Sequence, residues 1–502
     1  MAVFQRILKN LVAMLTSRMI SILQQVVLPP VFIARYSIAQ FGEWGVLSGA
    51  VGALSLLNFG VQTFMNQDLA VRFSRGEIEG YHIRQSTALR LLCGVILVTA
   101  VLCLVLFIVP LDRWLRLDIG RRSAQWTAYL LCLQVLLNIL FGYFGGIFMG
   151  VRLAHRGSHW NNIQNLLSIV GLLIGVVLHL PFPVLAALQL FSVLAAMVGV
   201  LIDIRRTSPE IFPTLNYWDG SAVKEILKPS GYFGLISICT FLTFQAPLIV
   251  MQRFVGAVAV AGFLIMRTVF SMCRQVLATF TTSMGSEITI LFGRGDWRGI
   301  SRLYDYSERF VFFLIPVVNT GALLLSPVLI TVWMHKKAEL FSVYPYVLTA
   351  AIAMVISLKE HKFQFQFSTN THIELARLMF FSYLAMIGVS LITVRWFGVV
   401  GFLWTWLATE VFQMASIIRL NVHLFAHYER LKFTYLRRLI STCVAALLVS
   451  YVLLEHISNR PMMLQVGVSV AGGLVVATSA WFLFHVHEVF KRVQGIFSSK
   501  FA

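Results

Sequence analysis

Apolar residues run along this chain in long blocks, and charged residues gather in short clusters between them. A membrane-crossing helix needs about 20 mostly apolar residues. On that length the blocks predict fourteen helices, at about residues 10–34, 41–66, 87–110, 124–149, 161–180, 183–203, 229–252, 256–288, 309–333, 345–367, 377–395, 398–420, 438–456 and 463–486. The turn after the fifth, at Pro181 and Pro183, is tight, as is the turn after the eleventh, at Phe397 and Gly398. The tenth helix is the irregular one, because Lys359, Glu360, His361 and Lys362 interrupt its second half.

A second pattern lies over the first. Met65–Gly80 (MNQDLAVRFSRGEIEG) returns without a gap as Met284–Gly299 (MGSEITILFGRGDWRG). Each copy carries an acid (Asp68, Glu287), then Phe-x-Arg-Gly-acid-x-x-Gly, and the same offset pairs Arg90 with Arg309. Both copies follow two long apolar segments and precede a third. A fixed-offset match of this kind is an internal repeat. Equivalent positions are six helices apart, an even number, so both halves insert in the same direction as a parallel repeat. The expected architecture is an all-α integral membrane protein with about 14 transmembrane helices, in two parallel-repeat six-helix lobes plus two extra C-terminal helices. The expected domains are residues 1–203 for the N-terminal lobe, 204–228 for a cytoplasmic linker, 229–420 for the C-terminal lobe, and 421–502 for the last two helices and a tail.

Composition agrees: 58% of residues are hydrophobic and 12% charged, against about 25% charged for soluble domains. The formal net charge of +19 belongs to loops. With the N-terminus inside, cytoplasmic loops hold about 26 Lys and Arg and outer loops about 10, as the positive-inside rule requires. One outer loop runs the other way, with Arg113, Arg116, Arg121 and Arg122 partly offset by Asp112 and Asp118. An even helix number then puts both termini in the cytoplasm. Nucleic acid is not an expected partner. The six cysteines fall in apolar segments without metal or disulfide spacing. Arg6 and Lys9 precede an apolar run containing Arg18, which reads as a retained first helix rather than a signal peptide.

Ionisable groups within a span cost about 2.5–3.5 kcal/mol each on insertion scales and mark function. Arg18, Arg90, Arg267 and Arg274 qualify. Arg267 and Arg274 are seven residues apart, so they share a helix face. The functional reading is a cationic, wet cavity that receives an anionic group, because a guanidinium binds phosphate with a bidentate fork. The competing reading is snorkelling or pairing with an acid. Asp68, Glu287 and Arg309 are candidates for a gate, with Asp68 and Glu287 pairing to Arg90, Arg309 or loop arginines; the competing reading is a local salt bridge that anchors the loop. Gln24, Gln25 and the Pro29-Pro30 pair make helix 1 a candidate moving element, and Gln245 and Pro247 hold a similar place in helix 7. No acid stands out at mid-membrane to carry a proton or sodium ion. No metal spacing, phosphate-cradling loop or Ser-His-Asp set is present, and no cofactor is expected.

The stretch LPPVFIARYSIAQFGEWGVLSGAVGALSLLNFGVQTFMNQDLA, Leu28–Ala70, resembles the start of bacterial polysaccharide-biosynthesis flippases. The shared features are a Pro-containing first helix, the Phe41-Gly42 pair opening helix 2 and the Phe59-Gly60 step near its end. That family lies in the multidrug/oligosaccharidyl-lipid/polysaccharide (MOP) exporter superfamily, whose MATE-like fold has two six-helix lobes. The resemblance implies a non-enzymatic flippase in the bacterial inner membrane. Its substrate would be an undecaprenyl-diphosphate-linked oligosaccharide for O-antigen, capsule or exopolysaccharide, with a polysaccharide polymerase or chain-length regulator as partner. The diphosphate suits Arg18, Arg267 and Arg274. A cation-coupled multidrug exporter is the alternative and would need an acidic pocket. A membrane polymerase or transferase would need acids or histidines on an outer loop, and none stands out.

Overall fold

The computed structural model describes residues 2–58, 61–148, 153–285, 288, 291–292, 295–334, 340–369, 373–426, 434–458 and 460–488. Among these no strand occurs, and eleven helices are long and apolar enough to cross a membrane. By contact the chain divides into two compact units, residues 1–261 and 262–502.

The first unit contains α1 (Ala2–Arg35), α2 (Ile38–Gly52), α3 (Val61–Ser74), α4 (Ile78–Leu102), α5 (Leu111–Leu115), α6 (Arg121–Ile147), α7 (Ala154–Val177), α8 (Phe182–Thr207), α9 (Gly220–Phe244) and α10 (Ala246–Phe254). Helix α8 packs along α6 and α7, and α1 lies along α7. Their core is built on Met65, Tyr81, Leu136, Tyr143, Phe148 and Val200. The expected second helix is broken into α2, a 3₁₀ segment (Ala53–Asn58) and α3. Two side chains explain the break. The Ser55 hydroxyl donates to the Gly52 carbonyl at 2.7 Å, offering the backbone a local alternative to the helix. The Asn58 side chain then accepts from the Gln62 amide at 3.1 Å, in the first turn of the next helix. The Phe59-Gly60 step lies outside the described residues. The expected seventh helix is also two pieces, α9 and α10, divided at Gln245 with Pro247 in the first turn of α10. Helix α9 begins earlier than expected, because Asp219 accepts from the Ser221 amide at 2.8 Å and caps it. The Ser221 hydroxyl and amide hold this exposed carboxyl below its ordinary range. Pro29 and Pro30 both lie inside α1.

The second unit contains most of α11 (Ala257–Ser283), then α12 (Trp297–Trp333), α13 (Val343–Ser368), α14 (Ile373–Phe425), α15 (Thr434–Ile457) and α16 (Met462–Leu483). Helix α14 is two arms joined at Gly398, whose φ of 59° and ψ of −143° suit glycine alone. This is the tight eleven-to-twelve turn read from the sequence. Helix α13 runs unbroken through Lys359–Lys362. Helices α15 and α16 belong to the core of this unit, with Phe484 and Leu439 packed with Phe312, Ile315 and Met354. The Ser469 hydroxyl of α16 donates to the Leu324 carbonyl of α12 at 2.7 Å.

The sequence repeat is a repeat of backbone. Gly76 and Gly295 have φ of 75° and 69°. Their amides donate to the Phe73 and Phe292 carbonyls at 3.1 and 3.0 Å. The next amides, Glu77 and Asp296, reach the Arg72 and Leu291 carbonyls, both at 3.0 Å. Left-handed φ is what the Arg-Gly step provides in both halves. The caps differ. Asp296 accepts from the Gly299 amide at 2.8 Å, whereas Glu77 makes no capping bond and pairs with Arg72 at 3.3 Å instead. Asp296→Ala is therefore expected to cost about 1 kcal/mol of stability, and Glu77→Ala about 0.5 kcal/mol or less, read from unfolding in mixed micelles.

Candidate functional site

The residues singled out in the first unit are placed as follows. Arg18 is exposed on α1. Gln24 and Gln25 are half-buried, and the Gln25 amide donates to Ser21 Oγ at 3.3 Å. Asp68 accepts from Arg72 Nε at 3.0 Å, one helical turn on, so its partner is local rather than Arg90. Arg90 is exposed and donates to the Leu215 carbonyl. It is one of several α4 side chains that fasten the segment between α8 and α9. Gln85 donates to the Ile211 carbonyl at 2.8 Å, Ser86 accepts from the Tyr217 amide at 3.0 Å, and Thr87 accepts from the Asp219 amide at 3.1 Å. Arg84 reaches the Ala222 carbonyl at 3.3 Å and pairs with Glu225. The connection is thus held by α4 over its length.

In the second unit, Arg309 pairs with Asp305 at 3.1 Å and Glu488 at 3.2 Å, with its guanidinium 4.8 Å from the Tyr435 ring centroid. Glu287 lies outside the described residues. His485, His487 and Glu488 bring ligand atoms within 4.8 Å of one another, a grouping that sequence spacing did not suggest. Arg267 sits over the Phe263 ring at 5.7 Å, and Arg274 pairs with Glu360 at 2.9 Å.

That last pair leads to the densest polar cluster described in this unit. Four consecutive residues of α13 point to different neighbours, as a 100° step per residue requires. Lys359 Nζ donates to Glu410, to Tyr383 OH at 2.7 Å and to Gln413 Oε1 at 2.9 Å, joining both arms of α14. Glu360 reaches α11 through Arg274. His361 Nε2 lies 2.8 Å from Ser307 Oγ on α12. Lys362 donates to Glu308 and to Tyr304 OH at 2.7 Å, also on α12. One turn further, Gln366 donates to Asn421 Oδ1 at 2.8 Å, and the Asn421 amide donates to the Lys362 carbonyl at 3.1 Å. Glu410 accepts in addition from Tyr383 OH at 2.8 Å and Trp406 Nε1 at 3.1 Å.

The cluster corrects the expectation that no acid lies at mid-membrane. Glu410 is fully buried, twelve residues past Gly398, or roughly 18 Å along its helix. Glu308 is buried as well. Both are neutralised by lysines that the sequence showed only as an interruption. A lone Glu within the apolar run Trp404–Phe412 was the available signal. In α11–α14 the groups at depth are thus Arg267, Arg274, Lys359 and Lys362 against Glu308, Glu360 and Glu410. Each of these acids has a basic partner.

No family model matches the chain, and no curated protein matches it in sequence. Solved structures do match in fold. An inward-facing multidrug resistance MATE family transporter of the MOP superfamily aligns with a TM-score of 0.69 at 13% identity, over 81% of this chain and 96% of its own. The lipid II flippase MurJ, in an inward closed conformation, aligns with 0.65 at 12% identity, over 95% of this chain and 99% of its own. A MOP superfamily transporter from Pyrococcus furiosus, described as having a binding pocket of reversed polarity, aligns with 0.51 at 14% identity, over 83% and 96%. The chain is a multi-pass membrane protein with the all-helical fold of MOP superfamily transporters.

Proposed function

We propose that the protein is an alternating-access flippase that moves an anionic, lipid-linked oligosaccharide across the bacterial inner membrane, with an undecaprenyl diphosphate carrier and both chain termini in the cytoplasm. The observation that carries this reading is the charge pattern of the second unit. Every buried acid of the α13 cluster is matched to a lysine or arginine, and α11 adds Arg267. Such a unit suits a phosphate, for which arginine is the preferred donor. A cationic drug would need an acid without a resident cation, and the α13 cluster offers none; the buried Glu43 of α2, which accepts from the Asp118 amide, is the acid the exporter reading would turn to.

The likeness in fold to the lipid II flippase, over 95% of this chain, is consistent with the lipid-linked class. In this proposal residues 1–203 and 229–420 act as the two lobes, 204–228 connects them, and Arg267 and Arg274 receive the diphosphate. The sugar chain would pass to a polymerase or a chain-length regulator.

The test is deletion of the gene in its native host, followed by lipid extraction. The expected result is an undecaprenyl-diphosphate oligosaccharide accumulating on the cytoplasmic side while surface polysaccharide disappears. Unchanged lipids together with altered drug sensitivity would transfer the assignment to the exporter.

A further inference from the structure

The three ion pairs on α13 are not alike. Lys359 with Glu410 and Lys362 with Glu308 are sealed, with side chains 7% and 0% exposed in one pair and 2% and 7% in the other. Arg274 and Glu360 are 33% and 25% exposed. Only this third pair can be reached by a group from outside the unit. It is also incompletely satisfied. Glu360 Oε1 accepts from Arg274, but Oε2 is buried and accepts no hydrogen bond among the described residues. A buried ionised oxygen without a donor is costly. The Arg274 contact on its other oxygen and the charge of Lys359 stand against that cost.

We propose that Arg274 exchanges the Glu360 carboxylate for the phosphate of an anionic lipid, and that Glu360 takes up one proton as it is released. The inference rests on the anionic-substrate reading and adds a coupled proton to it. The exchange balances. The guanidinium–carboxylate contact breaks, a guanidinium–phosphate contact forms, and a proton from water adds to the Glu360 carboxyl. Without that proton, phosphate and carboxylate would stand as like charges beside one guanidinium.

Lys359 also acts on Glu360 through space, but the other cations near it are engaged by their own partners. On its own helix, Lys359 is held by Glu410, Tyr383 and Gln413, Lys362 by Glu308 and Tyr304, and His361 meets Ser307. The α14 group nearest in charge is Glu410, itself an acid. The α12 acid, Glu308, is committed to Lys362. On α11 the cations are Arg274, which the phosphate takes, and Arg267, two turns away over the Phe263 ring. A proton from water is the cation free to follow the exchange.

The test is calorimetric binding of geranylgeranyl diphosphate to the full chain in lipid nanodiscs, run near pH 7 in two buffers of different ionisation enthalpy, for the wild type and Glu360→Gln. Any titration of the probe is common to both proteins and cancels in their difference. The wild type is expected to take up about one proton more per bound probe than Glu360→Gln, and its affinity to rise up to about tenfold for each pH unit lowered, with Glu360→Gln lacking that component. Equal proton uptake by the two proteins, with binding intact, would overturn the exchange and leave the anionic-substrate reading standing. Failure of both proteins to bind the probe would overturn the two together.

Discussion

Lys359→Met is expected to destabilise the second unit by about 3–5 kcal/mol, because it leaves Glu410 as an uncompensated charge in a dry interior. Glu410 is fully buried, and its remaining partners, Tyr383 OH and Trp406 Nε1, are neutral donors that cannot balance it. Lys359→Met/Glu410→Gln should recover more than half of that loss, since the amide keeps an acceptor for Tyr383 and Trp406 and carries no charge. Unfolding in mixed micelles gives the three free energies, and the double-mutant cycle isolates the pair. Lys362→Met should behave similarly through Glu308. Glu360→Gln, at the half-exposed pair, should cost about 1 kcal/mol or less. A flat response across all three positions would mean that the pairs are interchangeable surface contacts, against the burial that separates them.

The helices were legible because bilayer thickness and apolar length are linked by simple geometry. The turn at Gly398 was legible for a related reason, since glycine is needed where the backbone leaves L-residue space. The repeat was visible from Arg75-Gly76 and Arg294-Gly295, and its backbone meaning followed from Gly76 and Gly295 taking the same left-handed φ. The breaks in the expected second and seventh helices were missed for one reason. Apolar windows are blind to local polar competition, and Asn58 and Gln245 sit inside windows that remain apolar on average.

The α13 cluster shows a different limit. Lys359–Lys362 stood out as four ionisable residues in a span, but their meaning lay in Glu308 and Glu410, about 50 residues away in either direction. Periodicity along one helix does not report which side chains of another helix face it. Glu410 itself was readable, as a single acid in an apolar run. Arg274 was picked out correctly as an ionisable group at depth, while its partner Glu360 was hidden in the cluster read as an interruption. Pairing is thus a property of the fold, and sequence shows only the cost that pairing must offset.

Arg267→Ala/Arg274→Ala is expected to abolish surface polysaccharide while the protein still inserts and accumulates, because the proposed phosphate site loses both α11 guanidinium groups. The double variant alone is ambiguous. Removing Arg274 also strands Glu360, and a stranded carboxylate could disable the unit without any role for Arg274 in binding. Arg274→Ala/Glu360→Gln separates the two. It removes the cation and the charge it neutralises together, so the unit should unfold within about 1 kcal/mol of the wild type. If Arg274 receives the substrate, export stays lost in this neutral pair, and geranylgeranyl diphosphate binding falls with it. If export returns, Arg274 serves only to balance Glu360, and the substrate's charge must be met by Arg267. Arg267→Ala alone is the variant that would then carry the loss.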